Sequence, residues 1–457
     1  FVIQTGCMDH SQPSALRVAL PYSDHVLDTK TNYYIEYLEN KTGLEIETVI
    51  VRQDDGKEYL DALFASDSDI DIVFFGEDFV IDEETAKNYA DKGYIHTAED
   101  GTFWYPNYGS RTTGDCGQIL WINYEWLERL GLSIPTTTSE LREVLFAFKN
   151  NDPNGNGLND EIALIGSTED YCYDPAELLL NSYVYNDPYN NRLFYGGSGA
   201  LRLSTEAAAF REGMVFLREL YKDGLLDTRT FSYSLNEMNE VINANIDIVG
   251  AFTTDFISNV IYQANPEVLA RYIHVAPLAG PEGVRNSMYR EGKPMVGAVI
   301  NARSAHISDA ERLIAAMLSE EASLIARYGE PGVDWERSDG SDVSIYGTIS
   351  TIVTKNYIWN TPQNKHLNGI GPMYVPDVYL KGVTWNGLNS DAEYVDARAQ
   401  VGYSDHLPER RYQGTFDAET ALFTDRYIYS FITGERDVFD DNEWSTFVQS
   451  VSERTVR

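Results

Sequence analysis

The run Asp152-Pro153-Asn154-Gly155-Asn156-Gly157-Leu158-Asn159-Asp160-Glu161 carries oxygen-bearing side chains in alternation at Asp152, Asn154 and Asn156, with Gly157 placed for a sharp turn. A hard cation takes roughly six to eight oxygens from a tightly curled backbone, and calcium loops supply them at alternating positions. The Leu158 carbonyl falls at the seventh position and Asp160 at the ninth. The bidentate Glu that an EF-hand places twelfth is Ala163 here, and Glu161 is the nearby carboxylate able to replace it. The spacing predicts a structural calcium loop that departs from the EF-hand. Asp152, Asn154, Asn156, Asp160 and Glu161 would bind by side chain and Leu158 by its carbonyl. The plainer alternative is a polar turn whose Asn, Asp and Gly serve only the backbone.

Catalytic chemistry is poorly supported. A glycosidase needs two carboxylates about 5–10 Å apart, and no short motif presents such a pair flanked by aromatics. Gly197-Ser198-Gly199 is not the G-x-S-x-G elbow of a serine hydrolase, and the seven His are scattered without an H-x-x-x-H helix. No enzyme is expected, with a secreted glycoside hydrolase as the rival reading.

Three cysteines exclude a disulfide-rich scaffold. Cys116 and Cys172 could pair in an oxidising compartment, and the sequence leaves that open. Cys7 follows Phe1-Val2-Ile3-Gln4-Thr5-Gly6, and Thr5-Gly6-Cys7 resembles the end of a bacterial lipobox, with Gln4 where an aliphatic residue is usual. Cys7 is therefore the expected lipid-anchor site of a cell-surface lipoprotein, and no apolar run is long enough to span a membrane.

The 457 residues exceed one ordinary core, which predicts two lobes. With 35 Lys+Arg against 71 Asp+Glu the net charge is −36, a field that repels nucleic acid. The same acidity argues against a uronate ligand unless Arg111 or another cation compensates. The 31 Tyr, 19 Phe and 7 Trp suit sugar recognition, because ring faces pack on the C–H faces of a pyranose.

Strands are expected at 16–20, 44–51 and 70–75, alternating with helices at 32–40 and 59–65. Apolar on both faces, they read as a parallel sheet covered on two sides. Further on, 119–123 reads as a strand and 124–130 as a helix closed by Gly131. Leu141, Val144, Leu145 and Phe148 form one helical face leading into the loop. Ile162–Ile165, Ile246–Gly250, 272–277 and 296–301 read as strands, and 308–328 as one long helix.

The run 120–132, then Ile134-Pro135-Thr136-Thr137 and the 152–161 loop, resembles the family 1 extracellular solute-binding proteins of bacterial ABC importers, especially their Gram-positive lipoprotein branch. The alginate-oligosaccharide-binding proteins are related and share the calcium loop. Tyr328-Gly329-Glu330-Pro331-Gly332-Val333-Asp334-Trp335-Glu336 and Phe431-Ile432-Thr433-Gly434-Glu435 extend the resemblance along the chain. It implies an α/β, two-lobed fold of the maltose-binding-protein-like, type II periplasmic-binding kind, with ligand in a cleft between the lobes. It further implies a calcium-stabilised monomer that delivers an oligosaccharide to ABC permease subunits without catalysis. A non-sugar solute such as a peptide is the alternative ligand.

The expected division is a leader over 1–15, one lobe over 16–120 plus 272–335, and a second over 121–271 plus 336–457. Strand-end or loop positions nominate Trp121, Asp255, Tyr22, Glu77, Trp359 and Trp385 as cleft residues. Trp335 is expected in a structural motif on the hinge side.

Overall fold

The computed structural model describes residues 15–53, 55–76, 79–107, 115–116, 118–244, 246–255, 257–261, 266–290, 295–341, 349, 351–356, 358, 361–374, 383–385, 406, 412 and 414–455. The chain packs into two units. One takes Phe1–Thr113, Gly292–Arg337 and Thr354–Asp377; the other takes Gly114–Glu291, Ser338–Val353 and Val378–Arg457.

These bounds depart from the expected lobes for identifiable reasons. Strand Tyr272–Val275 pairs antiparallel with Ile119–Asn123, which holds both strands in the second unit. Residues 354–377 return to the first unit because Gln363 N donates to His25 O at 2.9 Å and Leu27 N to Gln363 O at 3.1 Å. Of the expected leader, only Ala15 lies within the described residues.

In the first unit, a five-stranded sheet runs in the order Ile46–Val51, Leu16–Pro21, Ile72–Phe74, Met295–Ile300, Tyr105–Asn107. The first three strands are parallel, as their apolar runs predict; Met295–Ile300 is antiparallel to both neighbours. Alternation puts Leu16, Val18, Leu20, Ile72 and Phe74 against Tyr34, Ile35 and Leu38 of helix Tyr33–Thr42. Ala19, Val73 and Phe75 face the opposite way, onto Leu60, Leu63 and Phe64 of helix Gly56–Ala65. Asn32 caps the first of these helices and Gly43, at φ 70°, ends it in the left-handed conformation that glycine adopts without penalty. The helix expected over 308–328 is two, Ile307–Met317 and Glu320–Tyr328, because Ser319 stops one and N-caps the next.

The second unit is built on an antiparallel sheet in the order Tyr272–Val275, Ile119–Asn123, Ala251–Thr254. Leu120, Ile122, Ala251 and Ile273 face helices Thr138–Asn150, Ala208–Lys222 and Ala418–Thr433 on one side, while Ile119, Trp121, Phe252 and Tyr272 face the other. Ile246–Gly250 and Ile162–Ile165 are not strands. Ile162 meets Val249 in an isolated bridge, while Leu164 bridges to Leu226 and Ile165 to Phe252 of strand Ala251–Thr254. The strand runs instead over Ala251–Thr254, directly after the expected span. Among the described residues no helix is long and apolar enough to cross a membrane.

Candidate ligand site and cation loop

The 152–161 loop curls as its residue types require. Asp152 (φ 46°), Gly155 (φ 73°) and Gly157 (φ 75°) occupy the left-handed region that glycine and, less readily, Asp tolerate. The Asp152 carboxylate accepts the Asn156 and Gly157 amides, each at 3.0 Å. Asn154 Oδ1 accepts the Asn156 amide at 3.0 Å, and Asn156 Oδ1 the Leu158 amide at 2.7 Å. Side-chain amides of Asn154 and Asn156 turn to Asp160 at 3.5 and 3.1 Å. Glu161 is 1% exposed and its Oε1 is buried with no partner. Burial pushes its carboxyl up, and the Asp160 and Asp152 charges add to the shift.

A buried, unpartnered carboxylate oxygen beside two more acids is costly as it stands, and a cation removes that cost. The donor set therefore fits a calcium ion. Among the described residues no three His, Cys, Asp or Glu side chains converge as a metal cluster. Half of the expected set consists of Asn amides and a carbonyl, and the Asn N–H groups now lie against Asp160.

The loop is fastened to the sheet. Asn154 Nδ2 donates to Asp247 O at 2.9 Å, and Arg129 Nη1 to Pro153 O at 3.0 Å. The Asp247 carboxylate in turn accepts Trp126 Nε1 at 2.9 Å and Asn123 Nδ2 at 3.0 Å. Directly after the loop, Ile162 N donates to Ile248 O and Gly250 N to Ile162 O, both at 2.8 Å.

Strand Ala251–Thr254 leads to Asp255, whose Oδ1 accepts Asn259 Nδ2 at 3.0 Å. Beside it a short helical turn, Tyr171–Tyr173, is capped by Asp170. The turn packs against strand Ala251–Thr254, and burial, then the Asp255 charge, push the Tyr173 hydroxyl up. The half-buried Tyr171 and Tyr189 rings meet edge to face, with centroids 5.1 Å apart. The Tyr189 hydroxyl donates to Asp170 Oδ1 at 2.5 Å, and the Tyr171 hydroxyl to Asp425 Oδ2 at 2.8 Å. Partly exposed rings interleaved with carboxylates, at the carboxyl end of a strand, can stack on and hydrogen-bond a polyol.

No family model matches the chain. The fructooligosaccharide ABC transporter substrate-binding protein FusA of Streptococcus pneumoniae is 34% identical over 132 residues, 28% of this chain and 23% of FusA. Lipoprotein LipO of Bacillus subtilis is 22% identical over 349 residues, 68% of this chain and 65% of LipO. The chain thus matches less than two thirds of either relative. Among solved structures, an EF-hand mutant of FusA with fructo-nystose superposes with a TM-score of 0.60 at 21% identity, covering 96% of each chain. An extracellular solute-binding protein of Bifidobacterium longum subsp. infantis does so at 0.65 and 18%, covering 96% and 95%.

The chain has the solute-binding-protein fold.

On that fold the nominated cleft residues fare unevenly. Asp255 lies in the cluster just described. Trp121 does not: it is 1% exposed, packed in the core and set edge to face on His274 at 5.7 Å. A sheet strand alternates its side chains, and Trp121 points into the covered face. Burial also holds His274 down to about 3, so a neutral imidazole backs the indole. Tyr22 is 44% exposed in the first unit, with the Arg52 guanidinium 4.1 Å from its ring centroid. Glu77, Trp359 and Cys7 lie outside the described residues, as do the side chains of Cys116 and of Trp385, which ends strand Val383–Trp385. Cys172 is buried, its Sγ 3.3 Å from the Tyr189 hydroxyl. Trp335 is buried and donates from Nε1 to Gly329 O at 2.9 Å, a structural role.

Asp170, Tyr171 and Tyr189 escaped the sequence reading. The alternation of acids and aromatics in Asp170-Tyr171-Cys172-Tyr173-Asp174 was the available signal.

Proposed function

We propose that this protein captures an oligosaccharide outside the cell and presents it to the permease of an ABC importer, without transforming it. The observation that carries the reading is the Tyr171–Tyr189 pair with Asp170 and Asp255 at one strand end of a solute-binding fold. Rings take the apolar faces of a sugar, and carboxylates take its hydroxyls in charge-assisted hydrogen bonds. The similarity to FusA makes fructooligosaccharides the first class to try.

Calcium in the 152–161 loop is part of the proposal. Asp152, Asn154, Asn156, Asp160 and Glu161 would hold it by side chain and Leu158 by its carbonyl. Turning the two Asn amides would present their oxygens. The ion would neutralise the acidic end of the loop and lock its hold on Asp247; its role is structural. The FusA structure, whose own EF-hand was mutated, supports a metal loop in this fold. Attachment through a lipid on Cys7 completes the reading, supported by the lipobox-like sequence and by the lipoprotein LipO.

The test is a thermal-shift screen at constant calcium against kestose, maltotriose, other neutral oligosaccharides, a uronate oligomer and peptides, with chromatography of each mixture. A selective rise in melting temperature with the sugar recovered intact is expected. Cleaved sugar would make the protein an enzyme, and a shift with peptides alone would move the ligand outside glycans.

A further inference from the structure

Behind the sugar-facing cluster lies a buried charge network that ligand recognition does not directly use. Arg192 sits at φ 59°, directly after Asn191 at φ 55°, two consecutive non-glycine residues in the left-handed region. Such strain persists only where surrounding contacts over-determine it. The contacts here are unusually complete. The Arg192 guanidinium, 4% exposed, takes Glu177 in a fork at 2.6 and 2.7 Å and Asn186 Oδ1 at 2.7 Å. Its Nη2 also donates to Asp425 Oδ1 at 2.9 Å. Asn186 Nδ2 returns to Glu177 Oε2 at 2.6 Å.

The network ends on the ligand side. Asp425 stands on the buried face of helix Ala418–Thr433, and its second oxygen accepts the Tyr171 hydroxyl at 2.8 Å. We propose that Arg192 and Asp425 are positioning residues for Tyr171: the guanidinium fixes Asp425, whose free oxygen anchors the hydroxyl and sets the ring plane offered to a sugar. A hydroxyl anchored to a buried, charge-paired carboxylate loses its freedom before ligand arrives, so less ordering cost falls on binding. A planar fork holds that carboxylate where a lysine point charge would not. The proposal rests on the oligosaccharide reading for its functional consequence, but its geometric part stands without any ligand.

The experiment has two arms. In the first, Asp425→Asn, Asp425→Leu and Tyr171→Phe are crystallised without sugar. The amide should leave Tyr171 in place, because its oxygen still accepts one bond and its NH2 can donate to the phenol oxygen. Leucine, or loss of the hydroxyl, should let the ring leave its position against Tyr189. In the second arm, kestose affinity is measured by calorimetry well below the melting temperature of each variant. Asp425→Leu and Tyr171→Phe should bind about tenfold more weakly, and Asp425→Asn within about twofold of wild type. A purely structural role would lower melting temperatures and leave affinity unchanged.

An unmoved ring in both Asp425→Leu and Tyr171→Phe overturns the proposal, as does wild-type affinity in both. If Asp425→Leu does not fold, Tyr171→Phe alone decides. If the wild-type protein binds no glycan, the oligosaccharide reading fails, and the ring positions still judge the anchoring.

Discussion

The Asn154 side-chain amide donates to the Asp247 carbonyl at 2.9 Å, fastening the 152–161 loop to the segment that leads into strand Ala251–Thr254. The loop is therefore a brace on the sheet rather than a free surface turn. Asp152 accepts two loop amides, and hydrogen bonds to a charged group contribute about 1.5–3 kcal/mol each. Asp152→Ala should lower the melting temperature, and EDTA should do so in wild type but not in the variant. Scanning calorimetry with and without calcium checks this; identical curves in all four conditions would remove calcium from the loop.

Trp121→Ala should destabilise by about 3–5 kcal/mol, the usual cost of deleting a large buried aromatic. Urea unfolding measures it. Near-wild-type stability would mean that the indole does not fill the core as described.

Asp170→Ala and Asp255→Ala should each weaken oligosaccharide binding by roughly tenfold, the loss of one charge-assisted hydrogen bond, and Asp170→Ala should also cost about 1 kcal/mol of stability as a lost helix cap. Calorimetric titration with the sugar that scores in the thermal screen is the check. Full affinity in both would place the ligand elsewhere.

Raising the pH from about 4 towards about 8 should destabilise the second unit. Burial, with the Glu177 charge behind it, pushes the Asp174 carboxyl up to about 8, although the Ala176 amide and Tyr429 hydroxyl favour its ionised form. Burial likewise raises Asp187 to about 6. A carboxyl whose folded value exceeds its unfolded one adds stability that is complete below the unfolded value. That stability is lost as pH rises through the folded value. For Asp174 the window runs from about 4 to about 8. Stability should therefore fall across this range, and Asp174→Asn should flatten the decline. Melting temperatures from pH 4.5 to 9 test it; equal slopes in wild type and variant would contradict the assignment.

Short-range chemistry is what the sequence by itself determined. Alternation in Leu16–Pro21 places Val18 and Ala19 on opposite covered faces, Asn32 and Gly43 bound a helix, and the Asp, Asn and Gly spacing shapes the 152–161 loop. Each depends on neighbours within a few residues, so each is legible without the fold. Strand partners are not local. Trp121 lies on a strand as read, but only the pairing with Tyr272–Val275 and Ala251–Thr254, and the packing over that sheet, decide that its ring is covered. The antiparallel order of the second unit is likewise not local, since an apolar run does not specify its neighbour's direction. The proposed ligand cluster is the extreme case, with the hydrogen-bonded Tyr171 and Asp425 254 residues apart. Tertiary structure alone joins them, because burial of an Arg requires its carboxylates to converge from wherever the chain supplies them.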